Sequence, residues 1–419
     1  MYIKNVNFYY RQILSKFKNS YLVEDLSRII IGIDCDYLDA NDLSFSQLKL
    51  KYELLAQKSI CDHAGLFGIF SWNFISLLEK IPIFSSRNYD FPLFLFANAK
   101  AYLIYEKEHN TFLKFGDLKY FDYLRDDFNV FKKEKNYDFE ILNCLKEENK
   151  DFLKMCEKAK EYLINGDIFQ VVLSKQLCIK HQIDAFDYYE QLRTLNPSIY
   201  MFYFPSKYGV VLGSSPEFLL KIKDKEIFLA PIAGTRSLDN DCDINVLEKE
   251  LLNDEKELSE HKMLVDLARN DASKFGINTR VENLFSIIKN KFIMHIVSEV
   301  YATMKENVSI FDVIEAVFPA GTLSGAPKIR ALEIIRELEM CDRGIYGGAI
   351  GFLNFKKDVV LAILIRSAFF TKDRAYISSG AGIVLQSDSK KEYEEICAKR
   401  RALLLAFKNL KKENDDTFN

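Results

Sequence analysis

Long apolar runs are missing from this chain of 419 residues. No apolar stretch approaches the roughly 20 residues that a membrane-spanning helix needs. The first residues, MYIKNVNFYYRQ, also lack the continuous apolar segment of a secretory signal. These features predict a cytoplasmic protein that does not cross a membrane.

Paired cysteines and an excess of positive charge are missing as well. The eight cysteines are scattered without a Cys-x-x-Cys pair, which argues against a zinc knuckle and against a secreted disulfide framework. A formal net charge of −3 makes nucleic acid an unexpected partner, whereas a small anionic ligand needs only a local positive patch. With 48% apolar and 28% charged residues, the composition is that of an ordinary globular protein.

The pattern of the chain changes after its first third. Residues 1–125 contain short β-branched and aromatic runs, residues 126–150 form a densely charged linker, and residues 411–419 form a polar tail. In residues 151–410, helical patterns alternate with strand patterns that are joined by short links, which indicates antiparallel hairpins. The sequence therefore predicts an α+β fold in which helices flank antiparallel sheets.

Two helical segments each carry a pair of glutamates three residues apart. Glu257 and Glu260 lie in ELLNDEKELSEHKMLVDLARND, and Glu392 and Glu395 lie in SDSKKEYEEICAKRRALLLAF, with Lys399 one further turn along the same face. Oxygen ligands without a cysteine or histidine cluster favour Mg²⁺ over zinc or copper. Such pairs more often mark a solvated helix surface, so their spacing alone leaves both interpretations open.

Three glycine-containing stretches follow apolar runs. In PIAGTR, at residues 231–236, Gly234 and Thr235 indicate a backbone donor site, but the neighbouring Ala233 is inert. FPAGTLSGAPK leads into a helix whose start could attract an anion or be a plain capping turn. Gly380 and Gly382, in SSGAGIVLQSD, lack the third glycine of a dinucleotide site, which argues against a nucleotide and leaves a tight turn near a ligand as one alternative.

Two polar residues lie in otherwise apolar strands. His295, in FIMHIVSEV, is either a core histidine that is hydrogen-bonded or a proton carrier. Arg366, in AILIRSAFF, must find an anion or strong acceptors, because burying an unpaired guanidinium is costly.

Together these stretches resemble the chorismate-utilising enzymes, and within that family the branch of the anthranilate synthase large subunits. The resemblance runs in the family's order through GDIFQVVLSK, NPSIYMFYF, LGSSPEFL, PIAGTR, DEKELSEHKMLVDLARND, MHIVSEV, FPAGTLSGAPK, RGIYGGAIGF and GAGIVLQSDSKKEYEEICAK. It extends weakly into NSYLVEDLSRIIIGID and AGLFGIFSWNFISLLEKIPI. It implies a large antiparallel β-sandwich flanked by helices, with a chorismate-binding catalytic domain at 151–410.

The resemblance also implies roles for individual residues. Glu260 and Glu395 would bind Mg²⁺ with support from Glu257 and Glu392, and the metal would hold the ring carboxylate of chorismate. Glu217, in SSPEF, would be the general acid that protonates the departing C4 hydroxyl. His295 and Thr322 would line the ring beside it. The residues implied to bind the substrate are Gly234, Thr235, Tyr346, Arg366, Gly380, Gly382 and Lys399.

Two positions separate the branches of the family. Family members that add water have a lysine at the position of Gln170 in this chain. Members that form aminodeoxychorismate often have a lysine at the position of Ala233. With neither lysine present, the resemblance implies ammonia as an external nucleophile, supplied by a separate glutamine amidotransferase subunit. The implied activity yields anthranilate and pyruvate, the first step of tryptophan biosynthesis. An aminodeoxychorismate synthase component and a non-catalytic regulatory subunit remain as alternatives.

Residues 1–125 would hold part of a tryptophan-regulatory site. In tryptophan-sensitive relatives the corresponding segment resembles Leu-Leu-Glu-Ser, whereas this chain has Leu-Val-Glu-Asp at 22–25. The acidic Asp25 therefore stands where those relatives have a serine hydroxyl. The residues implied for this pocket are Glu24, Asp25, Asn196, Pro197, Met201 and Phe202.

Overall fold

The strands of the chain assemble into two large antiparallel sheets. A computed structural model describes residues 2–82, 86–125, 137–238, 243–289 and 293–411. Within these residues the first sheet has eleven strands in the order β17-β9-β21-β20-β11-β10-β1-β2-β6-β7, with β8 beside β9. Its strands are β1 (Tyr21–Glu24), β2 (Arg28–Ile33), β6 (Ala101–Glu106), β7 (Thr111–Phe115), β8 (Phe139–Ile141), β9 (Gln170–His181), β10 (Tyr200–Ser206), β11 (Gly209–Ser215), β17 (Gly325–Ala326), β20 (Ser367–Phe370) and β21 (Arg374–Ile383).

The second sheet has ten strands in the described residues. Their order is β14-β16-β13-β12-β19-β18-β4-β5-β3, with β15 also paired to β16. The strands are β3 (Asp36–Asp39), β4 (Gly65–Phe70), β5 (Phe94–Asn98), β12 (Phe218–Lys223), β13 (Glu226–Leu229), β14 (Ile232–Ser237), β15 (Gly276–Lys289), β16 (Ile293–Met304), β18 (Ala349–Asn354) and β19 (Val359–Ile363).

Helices cover the outer faces of the two sheets. They are α1 (Tyr2–Lys16), α2 (Phe45–Ala56), α3 (Leu145–Ile164), α4 (Ala185–Leu195), α5 (Ile244–Leu252), α6 (Glu255–Phe275), α7 (Ile310–Val317), α8 (Lys328–Leu338) and α9 (Ser389–Leu410). Short 3₁₀ turns occur at Trp72–Leu77, Leu118–Tyr120 and Gly321–Leu323. No helix in the described ranges is long and apolar enough to cross a membrane.

The core follows from the alternation of side chains along each strand. In β1, Val23 points between the sheets and packs in one apolar cluster with Phe67 of the second sheet. Its neighbour Leu22 points outwards into a second cluster with Tyr10 of α1 and Phe407 of α9. Because both faces of the sheet are covered here, all four residues of β1 are buried, the charged Glu24 among them. The predicted α+β sandwich flanked by helices is confirmed.

Both sheets contain strands from both sides of the charged linker. Leu22 of β1 pairs with Tyr203 of β10, and Gly68 of β4 pairs with Gly351 of β18. The predicted boundary at 126–150 therefore divides the sequence, while the hydrogen-bonded sheets extend across it. Residues 126–136 and the tail from 412 lie outside the described residues, and residues 139–150 supply β8 and the start of α3.

Candidate functional site

A cavity of about 760 Å³ opens between the two sheets and is bordered by α6 and α9. Most of the residues predicted for the site line its wall, although they come from distant parts of the sequence. The predicted residues on this wall are Glu217, Gly234, Glu257, Glu260, His295, Thr322, Tyr346, Arg366, Gly380, Gly382, Glu392, Glu395 and Lys399. This volume is within the range of small-molecule sites in proteins.

Glu217 lies in the turn between β11 and β12, with its side chain in the cavity wall. Only 8% of the residue is exposed, and the Thr322 hydroxyl donates a hydrogen bond of 2.8 Å to its Oε1. Burial raises the pKa of Glu217 to about 7, while the hydrogen bond from Thr322 and the charge of Lys399 act in the opposite direction. A carboxyl group with this pKa is suited to donating a proton near neutral pH.

The PIAGTR stretch forms a β-bulge at the cavity. Ala233 pairs with Ile296 and Thr235 pairs with His295, so Gly234 is an extra residue between two ladder positions. Its φ of +60° is in the left-handed region that glycine adopts without strain. For Thr235 only this backbone pairing is described, because its side chain lies outside the described part of the structure. The bulge explains why a glycine is needed beside the inert alanine.

His295 is held neutral at ordinary pH. Burial lowers its pKa to about 4, the Arg366 charge acts in the same direction, and a hydrogen bond with the Gly234 backbone opposes both. A neutral imidazole can accept a proton from a ligand in the cavity.

The two glutamate pairs line the same cavity. Glu257 and Glu260 come from α6, and Glu392 and Glu395 come from α9, so helices that are far apart in sequence bring four carboxylates to one wall. Asp388 caps the start of α9 by accepting hydrogen bonds from two backbone N–H groups. The cap fixes where this helix begins and therefore which of its residues point at the cavity.

These carboxylates are a suitable donor set for a magnesium ion. In the described residues no group of three or more histidine, cysteine or acidic side chains is arranged to enclose a metal. Mg²⁺ differs from zinc in this respect, because it usually binds through one or two carboxylates and completes its shell with water and ligand oxygens. Glu260 accepts a hydrogen bond from Gln170, and Glu395 pairs with Lys399 at 2.7 Å. The donor chemistry thus fits the predicted ion.

Positive charge lines the same cavity and lies close to these glutamates. Arg366 follows β19, has a φ of +49° and is half-buried. Burial lowers the pKa of its guanidinium group, while the charges of Tyr346 and Glu395 act in the opposite direction. It makes no ion pair with a carboxylate of the described residues. Lys399 donates a hydrogen bond of 2.8 Å to the Gly380 carbonyl. An anionic ligand would therefore meet one guanidinium and one ammonium group here.

Gly380 and Gly382 allow close approach of the cavity wall. A Cβ atom at residue 380 would lie 2.8 Å from the Leu173 carbonyl oxygen and 2.9 Å from the Tyr346 hydroxyl. A Cβ atom at residue 382 would lie 2.7 Å from Gln170 Nε2. The predicted turn is in fact a continuous strand, β21, because both glycines pair with β9.

Lys221 also lines the cavity and was not predicted. Its Nζ lies 3.6 Å from the centre of the Phe218 ring, and burial lowers its pKa. Residues three apart on a strand should face opposite sides, but the strand register shifts between Phe218 and Leu220. Nothing in the sequence signals this irregularity, so alternation alone could not place Lys221 at the cavity.

The residues predicted for a tryptophan pocket lie around the β1–β10 pair. Glu24 is opposite Met201, and it receives two hydrogen bonds from Arg193 at 2.7 and 2.8 Å and an ion pair from Lys107 at 2.7 Å. Phe202 and Met201 are buried in different apolar clusters.

The other three residues of this predicted pocket are held in different ways. Asp25 accepts hydrogen bonds from the backbone N–H groups of Ser27 and Arg28. Asn196 donates to the Ser214 hydroxyl at 3.4 Å, and Pro197 lines the large cavity. The six residues are thus near one another, while the carboxylate of Glu24 is already bound by two cations.

Comparisons with known proteins point to one family. The sequence profile described as chorismate binding enzyme matches residues 14–405. Anthranilate synthase component 1 of Acetivibrio thermocellus is 46% identical over 280 residues, which are 66% of this chain and 56% of that protein. The same component of Aquifex aeolicus is 44% identical over 282 residues. The chain therefore matches little more than half the length of these relatives.

Solved structures agree in fold. Anthranilate synthase component I from Streptococcus pneumoniae has a TM-score of 0.76 and 29% identity, with 92% of each chain covered. The menaquinone-specific isochorismate synthase of Escherichia coli has a TM-score of 0.75 at 16% identity, covering 94% of this chain and 90% of that one. The second likeness shows a shared fold alone.

Proposed function

The chain belongs to the chorismate binding enzyme family, and from this premise we propose that it is an anthranilate synthase large subunit. It would convert chorismate and ammonia into anthranilate and pyruvate. One observation carries the proposal: a single cavity joins a buried acid of raised pKa, the cations Arg366 and Lys399, and the glutamate pairs of α6 and α9, and it has no lysine at residues 170 and 233. The relatives named anthranilate synthase component 1 support the same activity.

The two carboxylates of chorismate would bind to different groups of the cavity wall. Arg366 and Lys399 would hold the enolpyruvyl carboxylate, with the Tyr346 hydroxyl as a further donor. The glutamates of α6 and α9 would hold Mg²⁺, which when bound neutralises the ring carboxylate. Lys399 also pairs with Glu395, so the two halves of the site are in contact.

Glu217 would act as the general acid. Ammonia forms a C–N bond at C2, both ring double bonds shift, and the C4–O bond breaks while Glu217 delivers its proton, so that the hydroxyl leaves as water. The Thr322 hydroxyl, 2.8 Å from Oε1, orients the carboxyl group. After this step Glu217 is ionised, and the added nitrogen, first formed as an ammonium group, gives one proton to water.

Loss of pyruvate would complete the reaction. The C2 proton must be removed while the bond between the ring and the enolpyruvyl oxygen breaks and the ring becomes aromatic. His295 is neutral at ordinary pH, so it can accept this proton, and we propose it as the candidate base. Aromatisation makes the step strongly favourable.

Ammonia would come from a separate glutamine amidotransferase subunit. Gln170 and Ala233 are in the cavity wall, and neither side chain can act as the lysine nucleophile or base of other family members. The name of these relatives, anthranilate synthase component 1, agrees with a second component in those enzymes. We also propose that the protein is cytoplasmic. The seven cysteines in the described residues are free thiols, which is typical of a reducing compartment.

The test is turnover by the purified chain with chorismate, MgCl₂ and ammonium sulfate. We expect anthranilate fluorescence and an equal amount of pyruvate, with a rate that rises with the concentration of free NH₃ at constant pH. Chromatography of the products separates this outcome from aminodeoxychorismate, which retains the enolpyruvyl carbons, and from isochorismate. Glutamine alone should give no product until the amidotransferase subunit is added. Anthranilate made from glutamine by the single chain would contradict the external-ammonia proposal.

A further inference from the structure

A buried ion pair lies directly behind the cavity wall. Glu339 ends α8 and Arg343 follows four residues later, with hydrogen bonds of 2.8 Å from Nε and 2.7 Å from Nη2 to the carboxylate. The two residues are only 5% and 2% exposed. A buried pair of this kind is weak evidence for stability, since desolvation offsets much of the attraction. The other contacts of Glu339 and Arg343 therefore indicate what the pair does.

The remaining donors of Arg343 reach two elements of the cavity. Nη1 donates to the Leu323 carbonyl at 2.7 Å, and Nη2 donates to the Val172 carbonyl at 2.6 Å. Leu323 directly follows Thr322, whose hydroxyl binds Glu217. The guanidinium also lies 4.2 Å from the centre of the Trp72 ring, which holds its plane.

The carboxylate of Glu339 reaches the same strand at a second point. Its Oε1 accepts hydrogen bonds from the Ser174 backbone N–H at 2.8 Å and hydroxyl at 2.9 Å. In the strand register Ser174 is opposite Gly380, and Val172 is opposite Gly382. The ion pair therefore anchors β9 at the two residues that face the two glycines of the cavity.

We propose that Arg343 is a positioning residue, which fixes the Thr322 turn and the β9–β21 wall relative to Glu217. Its catalytic consequences rest on the function proposed above. The planar fork of an arginine distributes donors in fixed directions to one carboxylate and two carbonyls. A lysine keeps the charge but has no such fork, so Arg343→Lys separates positioning from charge.

Catalysis supplies the first measurement. Arg343→Lys should lower kcat by roughly 10- to 100-fold, the usual cost of a small misplacement of catalytic groups. A looser Thr322 turn also weakens the hydrogen bond that stabilises ionised Glu217, so the pKa of Glu217 should rise and the basic limb of activity should move to higher pH. The other groups at this site, Lys399 beside Glu217 and the cavity residues His295 and Glu260, are unchanged.

Two further variants sharpen this result. Thr322→Val should move the basic limb in the same direction, and combining it with Arg343→Lys should give no additional shift, because both act through one hydrogen bond. Ser174→Ala removes only the hydroxyl contact with Glu339 and keeps the protein testable if Arg343→Lys does not fold. It should raise the KM for chorismate while leaving kcat nearly unchanged.

Hydrogen exchange supplies a measurement that does not need activity. In the substrate-free protein, Arg343→Lys should accelerate exchange in the peptide 318–326, which contains the Thr322 turn. Arg400→Lys is the matched control: Arg400 is also 2% exposed and pairs with the buried Glu148, but its hydrogen bonds in the described residues reach no carbonyl of the cavity wall. It should leave both this exchange and the pH profile unchanged.

The outcomes distinguish the two proposals. Unchanged exchange at 318–326 together with a wild-type basic limb in Arg343→Lys would overturn the positioning role. If the wild-type chain has no turnover, the proposed function fails, while faster exchange in Arg343→Lys but not in Arg400→Lys would still support the positioning role.

Discussion

Glu217 shows how one residue acquires its chemistry from opposing local effects. Burial alone would raise its pKa, and the Thr322 hydrogen bond and the Lys399 charge lower it, so that the pKa is about 7. A general acid must be protonated before it acts, and its rate contribution is greatest when its pKa lies near the working pH. Burial and the two neighbouring side chains therefore give the Glu217 carboxyl a pKa near neutral pH, which suits the proposed role.

At a constant concentration of free NH₃, kcat/KM for chorismate should fall as pH rises through about 7, because Glu217 loses the proton that it must donate. Glu217→Gln should abolish this limb and lower kcat by roughly 10²-fold or more, with the affinity for chorismate comparatively intact. Steady-state kinetics across pH measures both effects. An effect of Glu217→Gln on KM alone would make Glu217 a binding residue.

At the scale of elements, two helices and one strand pair form the site. The helices α6 and α9 each present two glutamates one turn apart, and β21 presents two glycines against β9. Each of these features is a regular spacing of residues within one helix or strand. The site depends on where packing places these elements relative to one another. Two predictions test this level.

Changing Glu260 or Glu395 to glutamine should remove Mg²⁺-dependent turnover at limiting Mg²⁺, since the donor set would lose an anionic oxygen. Glu394→Gln is the matched control, because Glu394 lies on the exposed side of α9 beside Glu395. A surface change of this kind should alter stability by less than about 0.5 kcal/mol. Turnover is measured against Mg²⁺ concentration, and near-normal turnover in Glu260→Gln would sink the ligand assignment.

Gly380→Ala should raise the KM for chorismate by about tenfold, and more than Gly382→Ala, in keeping with the cost of small displacements in a site. The new methyl group at residue 380 meets the Leu173 backbone carbonyl, which cannot move without disturbing β9. At residue 382 it meets the end of the flexible Gln170 side chain. Kinetics of the two variants, with thermal melting as a check on folding, would contradict this account if Gly382→Ala were the more damaging change.

At the scale of the whole molecule, regions far apart in sequence share both sheets. The strand β1 lies beside β10, which brings Glu24 next to Met201. The predicted regulatory residues therefore share a sheet with β11, which leads directly to Glu217. A ligand bound near β1 would stabilise the same structure that carries the acid.

Tryptophan should bind the isolated chain, raise its melting temperature by mass action and inhibit turnover. Its ammonium group must compete with Arg193 and Lys107 for Glu24, so Glu24→Gln should weaken both effects. Thermal shift and inhibition assays at millimolar tryptophan measure this. The absence of any shift would show that the pocket does not exist in this chain.

The order of residues was enough to predict the family and the sandwich flanked by helices. The motifs are local, and a helix places residues three apart on one face wherever the helix packs. Glu217, the glutamate pairs and the absence of lysine at residues 170 and 233 are therefore recognisable in these motifs, whereas the roles of Glu217 and the glutamates stay predictions. The tryptophan pocket and the Mg²⁺ ligands stay predictions.

Tertiary structure alone decided what depends on distant contacts. The pKa of Glu217 follows from burial and from Thr322, 105 residues later in the chain. Bulges at Gly234 and after Phe218 break the strand period that sequence reasoning relies on. The contacts of Arg343 reach back 171 residues to Val172. Desolvation, bulges and long-range hydrogen bonds have no local signature, because they arise only when separate segments pack together.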